Sequence, residues 1–121
     1  MEDNYKSDFF KELSELVKGS EIVIDRPKGS AHPRYPDYIY PLDYGYIEGT
    51  SSQDGDGIDV WCGSENRKDI FGILVIFDPV KKDSEIKVLL GCSGQEAEQA
   101  LNCSNRGSMT AFLVKFNKEE K

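Results

Sequence analysis

Asp54-Gly55-Asp56-Gly57-Ile58-Asp59 places three carboxylates within six residues and spaces them with glycine. Glycine takes backbone turns that a Cβ would block, so the carboxylates at 54 and 56 can converge with Asp59 at the start of the next strand. Three like charges held that close repel one another unless a cation neutralises them. Hard oxygen ligands of this kind suit Mg2+, Mn2+ or Ca2+. The same residues also suit a plain solvated turn, since Asp and Gly are ordinary turn residues. A helix-flanked calcium loop is a third reading, with Asp54, Asp56 and Glu65 at loop positions 1, 3 and 12. It fails at positions 5 and 6, where Ile58 and Asp59 stand in place of a ligand and a glycine.

A second segment, Tyr40-Pro41-Leu42-Asp43-Tyr44-Gly45-Tyr46-Ile47-Glu48-Gly49-Thr50, precedes the acidic one by a few residues. Clustered tyrosines are often only core and rim aromatics. Their hydroxyls can also donate to phosphate oxygens, which matters this close to a metal loop.

The elements that must hold these residues follow from periodicity. Residues 4 to 18 predict a helix, with Phe9, Phe10, Leu13, Leu16 and Val17 at helical spacing and Gly19 as a stop. Glu21 to Ile24 predicts a short β-branched strand. Residues 26 to 57 hold four of the five prolines and five of the six tyrosines. They predict a structured loop region, with short strands around Tyr38 to Tyr40 and around Tyr46-Ile47. Ile58 to Cys62 predicts a strand. Ile70 to Phe77 is a continuous apolar run that predicts a strand buried on both faces. Asp78-Pro79 ends it, Lys81-Lys82-Asp83 predicts a turn, and Glu85 to Leu90 predicts the returning strand of a hairpin. Gln95 to Leu101 predicts a short helix, and Met109 to Phe116 a last strand. The expected class is α+β: a small, mainly antiparallel β domain with flanking helices.

The 121 residues predict a single domain over 1–121, with an N-terminal helix over 1–19. A net charge of −7 argues against nucleic acid as a partner, because a phosphate backbone calls for a basic surface. No apolar run approaches the ~18 residues of a membrane helix, so no membrane partner is expected. Met1-Glu2-Asp3-Asn4 is polar and acidic, unlike a secretory signal or transit peptide, and predicts a cytoplasmic location. Cys62, Cys92 and Cys103, odd in number and widely spaced, predict free thiols rather than disulfides or a zinc site.

Together the tyrosine segment and the acidic segment resemble the soluble family I inorganic pyrophosphatases. That family carries a YPxxYGxIxGT-like stretch followed shortly by a DGDPxDV-like metal loop. Ile22-Val23-Ile24-Asp25-Arg26-Pro27-Lys28-Gly29-Ser30 is similar to the family's strand and PKGS segment. Phe77-Asp78 and Glu85-Ile86-Lys87 are similar to its acidic hairpin. The resemblance spans residues 21 to 91, expected to form the metal- and phosphate-binding core.

The resemblance implies a barrel-like, OB-type sheet and metal-assisted hydrolysis of inorganic pyrophosphate to two phosphates, with a small phosphate compound as substrate. It implies Mg2+, or Mn2+ in its place, held by Asp54, Asp56 and Asp59, with Asp78, Glu85 and Asp25 as further ligands. Asp83 competes with Glu85 for its role. Asp56 would help generate the nucleophilic hydroxide, and Tyr44 and Lys87 would join it in catalysis. Lys28, Arg34, Tyr40 and Lys87 would bind substrate. Glu85 and Lys87 lie two apart on a strand and so share a face. A homo-oligomer is compatible with the family.

The match also departs from the family. Ala31-His32-Pro33-Arg34-Tyr35-Pro36-Asp37 stands where the family has a hairpin carrying substrate-gripping charges. The family's C-terminal Tyr-Lys pair has no counterpart, and Gly57 replaces the loop proline. His32 reads as a surface or hydrogen-bonding residue more readily than as a catalytic one. Two other functions therefore stay open: hydrolysis of a different phosphoanhydride such as a nucleotide, and a non-catalytic module that binds metal and phosphate.

Overall fold

The computed structural model describes residues 4–52 and 55–116. The amphipathic segment near the start forms α1 (Tyr5–Lys18), which buries Phe10 and Val17. Phe10 stacks on Phe116 with ring centroids 4.8 Å apart, tying the helix to the far end of the chain. Lys68 donates from Nζ to the Val17 carbonyl at 2.9 Å and to the Ser20 carbonyl, placing a cation where the helix dipole is negative.

Six strands follow: β1 (Ile22–Arg26), β2 (Asp43–Ile47), β3 (Ile58–Cys62), β4 (Ile70–Asp78), β5 (Asp83–Leu90) and β6 (Thr110–Lys115). Helix α2 (Gly94–Cys103) separates β5 from β6. They make one sheet in the order β1-β2-β3-β5-β4-β6, open rather than closed into a barrel. The mainly β class with flanking helices is as expected. One pair departs from antiparallel: β3 runs parallel to β5, with Val60 opposite Val88. The β4–β5 hairpin is so placed that β5, not β4, meets β3.

Of the two strands expected inside the 26 to 57 region, one forms. Asp43 to Ile47 pairs with both β1 and β3. Tyr38 to Tyr40 does not form a strand; the stretch makes only an isolated bridge between Ala31 and Ile39. Gly45 explains why β2 can lie so tightly between its neighbours. A Cβ there would stand 1.7 Å from the Val23 carbonyl oxygen.

Side-chain alternation sends residues to opposite faces of the sheet. Val60, Cys62, Ile73, Val88 and Leu90 pack on one face with Phe10 and Val17 of α1. Trp61, Leu74, Ile76 and Leu89 pack on the other with Ala97, Ala100 and Cys103 of α2. A capping box starts α2: Ser93 Oγ accepts from the Glu96 N–H, and Glu96 accepts from the Ser93 N–H. The three cysteines are free and buried, as expected. Among the described residues, no helix is long and apolar enough to cross a membrane.

Candidate active site

The face that carries Trp61, Leu74 and Leu89 also carries Asp59 on β3 and Glu85 and Lys87 on β5, by the same alternation. The parallel register sets Asp59 beside Lys87, because their neighbours Val60 and Val88 are partners. Lys87 donates from Nζ to Asp59 Oδ2 at 2.9 Å and lies 3.4 Å from Glu85 Oε2. It also donates to the Tyr44 hydroxyl of β2. Three strands thus deliver four functional groups to one point.

The electrostatics of this group are internally matched. Burial works against the charge on Lys87, but Tyr44, Asp59 and Glu85 outweigh it and raise its pKa. Lys87 is therefore a fixed cation and not a base at neutral pH. Burial raises the Tyr44 pKa further than Lys87 lowers it, so Tyr44 stays a neutral phenol.

A cavity of about 790 Å3 opens over Tyr44, Glu85 and Lys87. Lys87, Glu85, Tyr44, Tyr40, Trp61 and Asp78 line it from the sheet side; Arg34, Lys81, Arg106 and Ser108 line it from loops. Asp78 ends β4 and is buried. Its Oδ1 accepts from the Ser108 hydroxyl at 2.8 Å and from the backbone N–H groups of Val80 and Lys81. The Ser108 bond, then those backbone bonds and the Lys81 charge, hold its pKa down against burial. Tyr40 is buried and its hydroxyl accepts from Arg26 Nη1 at 2.6 Å. The Trp61 indole N–H is buried and has no hydrogen-bond partner among the described residues.

The structure does not gather every expected site residue. Asp54 lies outside the described residues. Asp56 is exposed on its loop, where its carbonyl accepts from the Ser52 N–H and hydroxyl. Asp25 is exposed at a bulge on the edge strand β1 and does not line the cavity. Lys28 lines a separate pocket with Asp43 and Arg67, and its N–H bonds to Asp43 Oδ1 at 2.7 Å. Arg34 does reach the main cavity. Glu85, rather than Asp83, stands beside Lys87; Asp83 lies opposite Asp78 across the hairpin and lines a smaller pocket with it and Ser52.

Among the described residues, no three His, Cys, Asp or Glu side chains form a ready-made metal cage. Asp59 and Glu85 nonetheless present two carboxylates to the point where the Lys87 cation sits. The ammonium already holds that point, so Mg2+ would have to use carboxylate oxygens other than those paired with Lys87, completing its shell with waters and substrate phosphates.

Lys81, Arg106 and Ser108 carry no motif in the sequence and were not expected here. Their signal lies in the topology: β6 pairs antiparallel with β4, with Thr110 opposite Phe77, so the residues before β6 must reach Asp78. The His32 Nδ1 accepts from the backbone N–H groups of Arg34 and Tyr35, the hydrogen-bonding role expected of it.

The sequence model of one family, described as inorganic pyrophosphatase, matches residues 2–113. Among solved structures, an inorganic pyrophosphatase from Neisseria gonorrhoeae superposes with a TM-score of 0.55 at 19% identity, covering 78% of this chain and 81% of that one. An inorganic pyrophosphatase from Helicobacter pylori superposes with a TM-score of 0.53 at 17% identity, covering 83% and 85%. At these identities the superpositions speak to the fold. Among curated proteins, no sequence matches significantly.

Proposed function

The chain belongs to the inorganic pyrophosphatase family, and from that premise we propose that it hydrolyses inorganic pyrophosphate to two phosphates as a single domain over residues 1–121. The observation that carries this reading is the convergence of Tyr44, Glu85 and Lys87 at the floor of a cavity rimmed by Arg34, Lys81 and Arg106, with Asp59 paired to Lys87 from the neighbouring strand.

Asp59 and Glu85 would hold Mg2+, with Mn2+ as a substitute, and Asp54, Asp56 and Asp78 are the remaining carboxylates assigned to it. The chemistry such an ion would supply is Lewis acidity, which would activate water and offset phosphate charge. Lys87 keeps its proton and sets a fixed positive charge where the bridging and leaving oxygens gain negative charge. Tyr44, held neutral by burial, donates a hydrogen bond and cannot compete as an anion. Arg34, Lys81 and Arg106 would grip the outer phosphate oxygens, a task that the family's missing hairpin otherwise performs.

Phosphate release from pyrophosphate by the purified chain, with and without Mg2+, tests the reading. Mg2+-dependent release is expected. Retention of Mg2+ binding with no release would instead favour the non-catalytic module.

A further inference from the structure

The cavity exceeds what inorganic pyrophosphate needs. Its volume of about 790 Å3 falls within the roughly 300–1,000 Å3 in which proteins bury organic ligands of drug size. Much of the extra wall is aromatic, and it comes from the stretch 31–37 that replaces the family's charged hairpin and from Tyr38 directly after it. His32, Tyr35 and Tyr38 all line it.

This wall is a built turn. The His32 N–H bonds to the Tyr38 carbonyl and the Tyr38 N–H to the Tyr35 carbonyl, each at 2.9 Å. The His32 ring lies 5.1 Å from the Tyr35 ring and 5.6 Å from that of Tyr38. Arg106 lays its guanidinium over Tyr38, 4.6 Å from the ring centre. Tyr35 keeps 59% of its surface exposed, so its ring is not committed to the core. Flat rings and guanidinium planes of this kind stack planar heterocycles. Inorganic pyrophosphate has no group that uses them.

We infer that the site also accepts a nucleoside di- or triphosphate, its terminal anhydride at Lys87 and its base against the His32–Tyr35–Tyr38 wall. This rests on the hydrolytic reading of the same site. The step is balanced: the water oxygen bonds to the terminal phosphorus, the bond from that phosphorus to the bridging oxygen breaks, and the bridging oxygen leaves on the shortened nucleotide. The water protons pass to the products and solvent.

Steady-state phosphate release from pyrophosphate, ADP and ATP, with Mg2+, tests the inference in the full chain, alongside Tyr35→Ala and Tyr35→Phe. Turnover of pyrophosphate and of at least one nucleotide is expected. Tyr35→Ala should lower kcat/KM for the nucleotide about tenfold, as the loss of one stacking partner does, and leave pyrophosphate unchanged. Tyr35→Phe should retain the nucleotide rate. Pyrophosphate turnover without nucleotide turnover would overturn the inference and leave the proposed function standing. Nucleotide turnover alone would support the inference and overturn pyrophosphate as substrate. A nucleotide rate indifferent to Tyr35→Ala would overturn the stacking role, and no turnover of any of the three would overturn both readings.

Discussion

Lys87 donates to Asp59 across the parallel β3–β5 pair, Nζ to Oδ2 at 2.9 Å. The lysine side chain is 12% exposed and the aspartate 27%, so the pair is shielded from water without being sealed. A pair in this setting does more to fix a geometry than to stabilise the fold, because desolvation offsets much of the attraction.

Lys87→Ala removes the fixed cation and leaves Asp59 and Glu85 facing each other. Loss of one preorganised charge of this kind lowers activity by about a hundredfold. The expected signature is a larger effect on pyrophosphate kinetics than on Mg2+ affinity by calorimetry. If neither changes, Lys87 is not at the reacting phosphates.

Asp59→Asn keeps the shape of the side chain and removes its charge. Mg2+ affinity and phosphate release should both fall, while the circular dichroism spectrum stays close to that of the parent and the melting temperature drops, because the buried Lys87 loses a partner. A parental rate in this variant would remove Asp59 from the metal assignment.

Gly45→Ala tests the tight β1–β2 ladder. The added methyl would meet the Val23 carbonyl at 1.7 Å, so the backbone must move. A cost of at least about 2 kcal/mol is expected from overpacking, read as a lower urea midpoint. An unchanged midpoint would show that β1 sits elsewhere.

The capping box of α2 gives a pH-dependent handle. Hydrogen bonds from the Ser93 N–H, and then from Ser64, hold the Glu96 pKa below its ordinary value of 4.5. A carboxylate depressed in the folded state contributes stability that is present above the unfolded pKa and lost as pH falls through the folded one. Glu96→Gln should therefore lower the melting temperature at pH 7 and narrow the gap to the parent below about pH 4. Ser93→Ala should cost about 1 kcal/mol. A pH-independent gap would mean that Glu96 caps without its charge.

The hairpin of β4 and β5 was legible because a continuous apolar run, an Asp-Pro stop and a returning strand are all local signals. Asp78 shows why the stop works: its carboxylate accepts from the N–H groups of Val80 and Lys81 and folds the chain back. Strand β2 was only half legible. Asp43 to Ile47 sits among prolines and tyrosines, and its place depends on how closely Val23 can approach Gly45. The parallel β3–β5 pairing left no local trace, since it follows from which edge of the hairpin faces inward. Of the site, Asp59 stood out as one of three closely spaced carboxylates, a pattern that also suits a plain turn, while Glu85 and Lys87 were singled out only by the resemblance to a family. Arg106 was not, because only the β4–β6 pairing brings its loop back to the cavity.

Trp61 is the sole tryptophan of the chain. It is buried, it lines the cavity, and the Tyr44 ring meets it edge-on at 4.7 Å. The protein thus carries one intrinsic fluorophore at the place where a ligand would arrive. A ligand filling the cavity would change the polarity the excited ring senses, and its emission would report occupancy without a label. Because no second tryptophan contributes background, the signal from a single-turnover mixing experiment would belong to this site alone and could separate arrival of the ligand from the chemistry that follows.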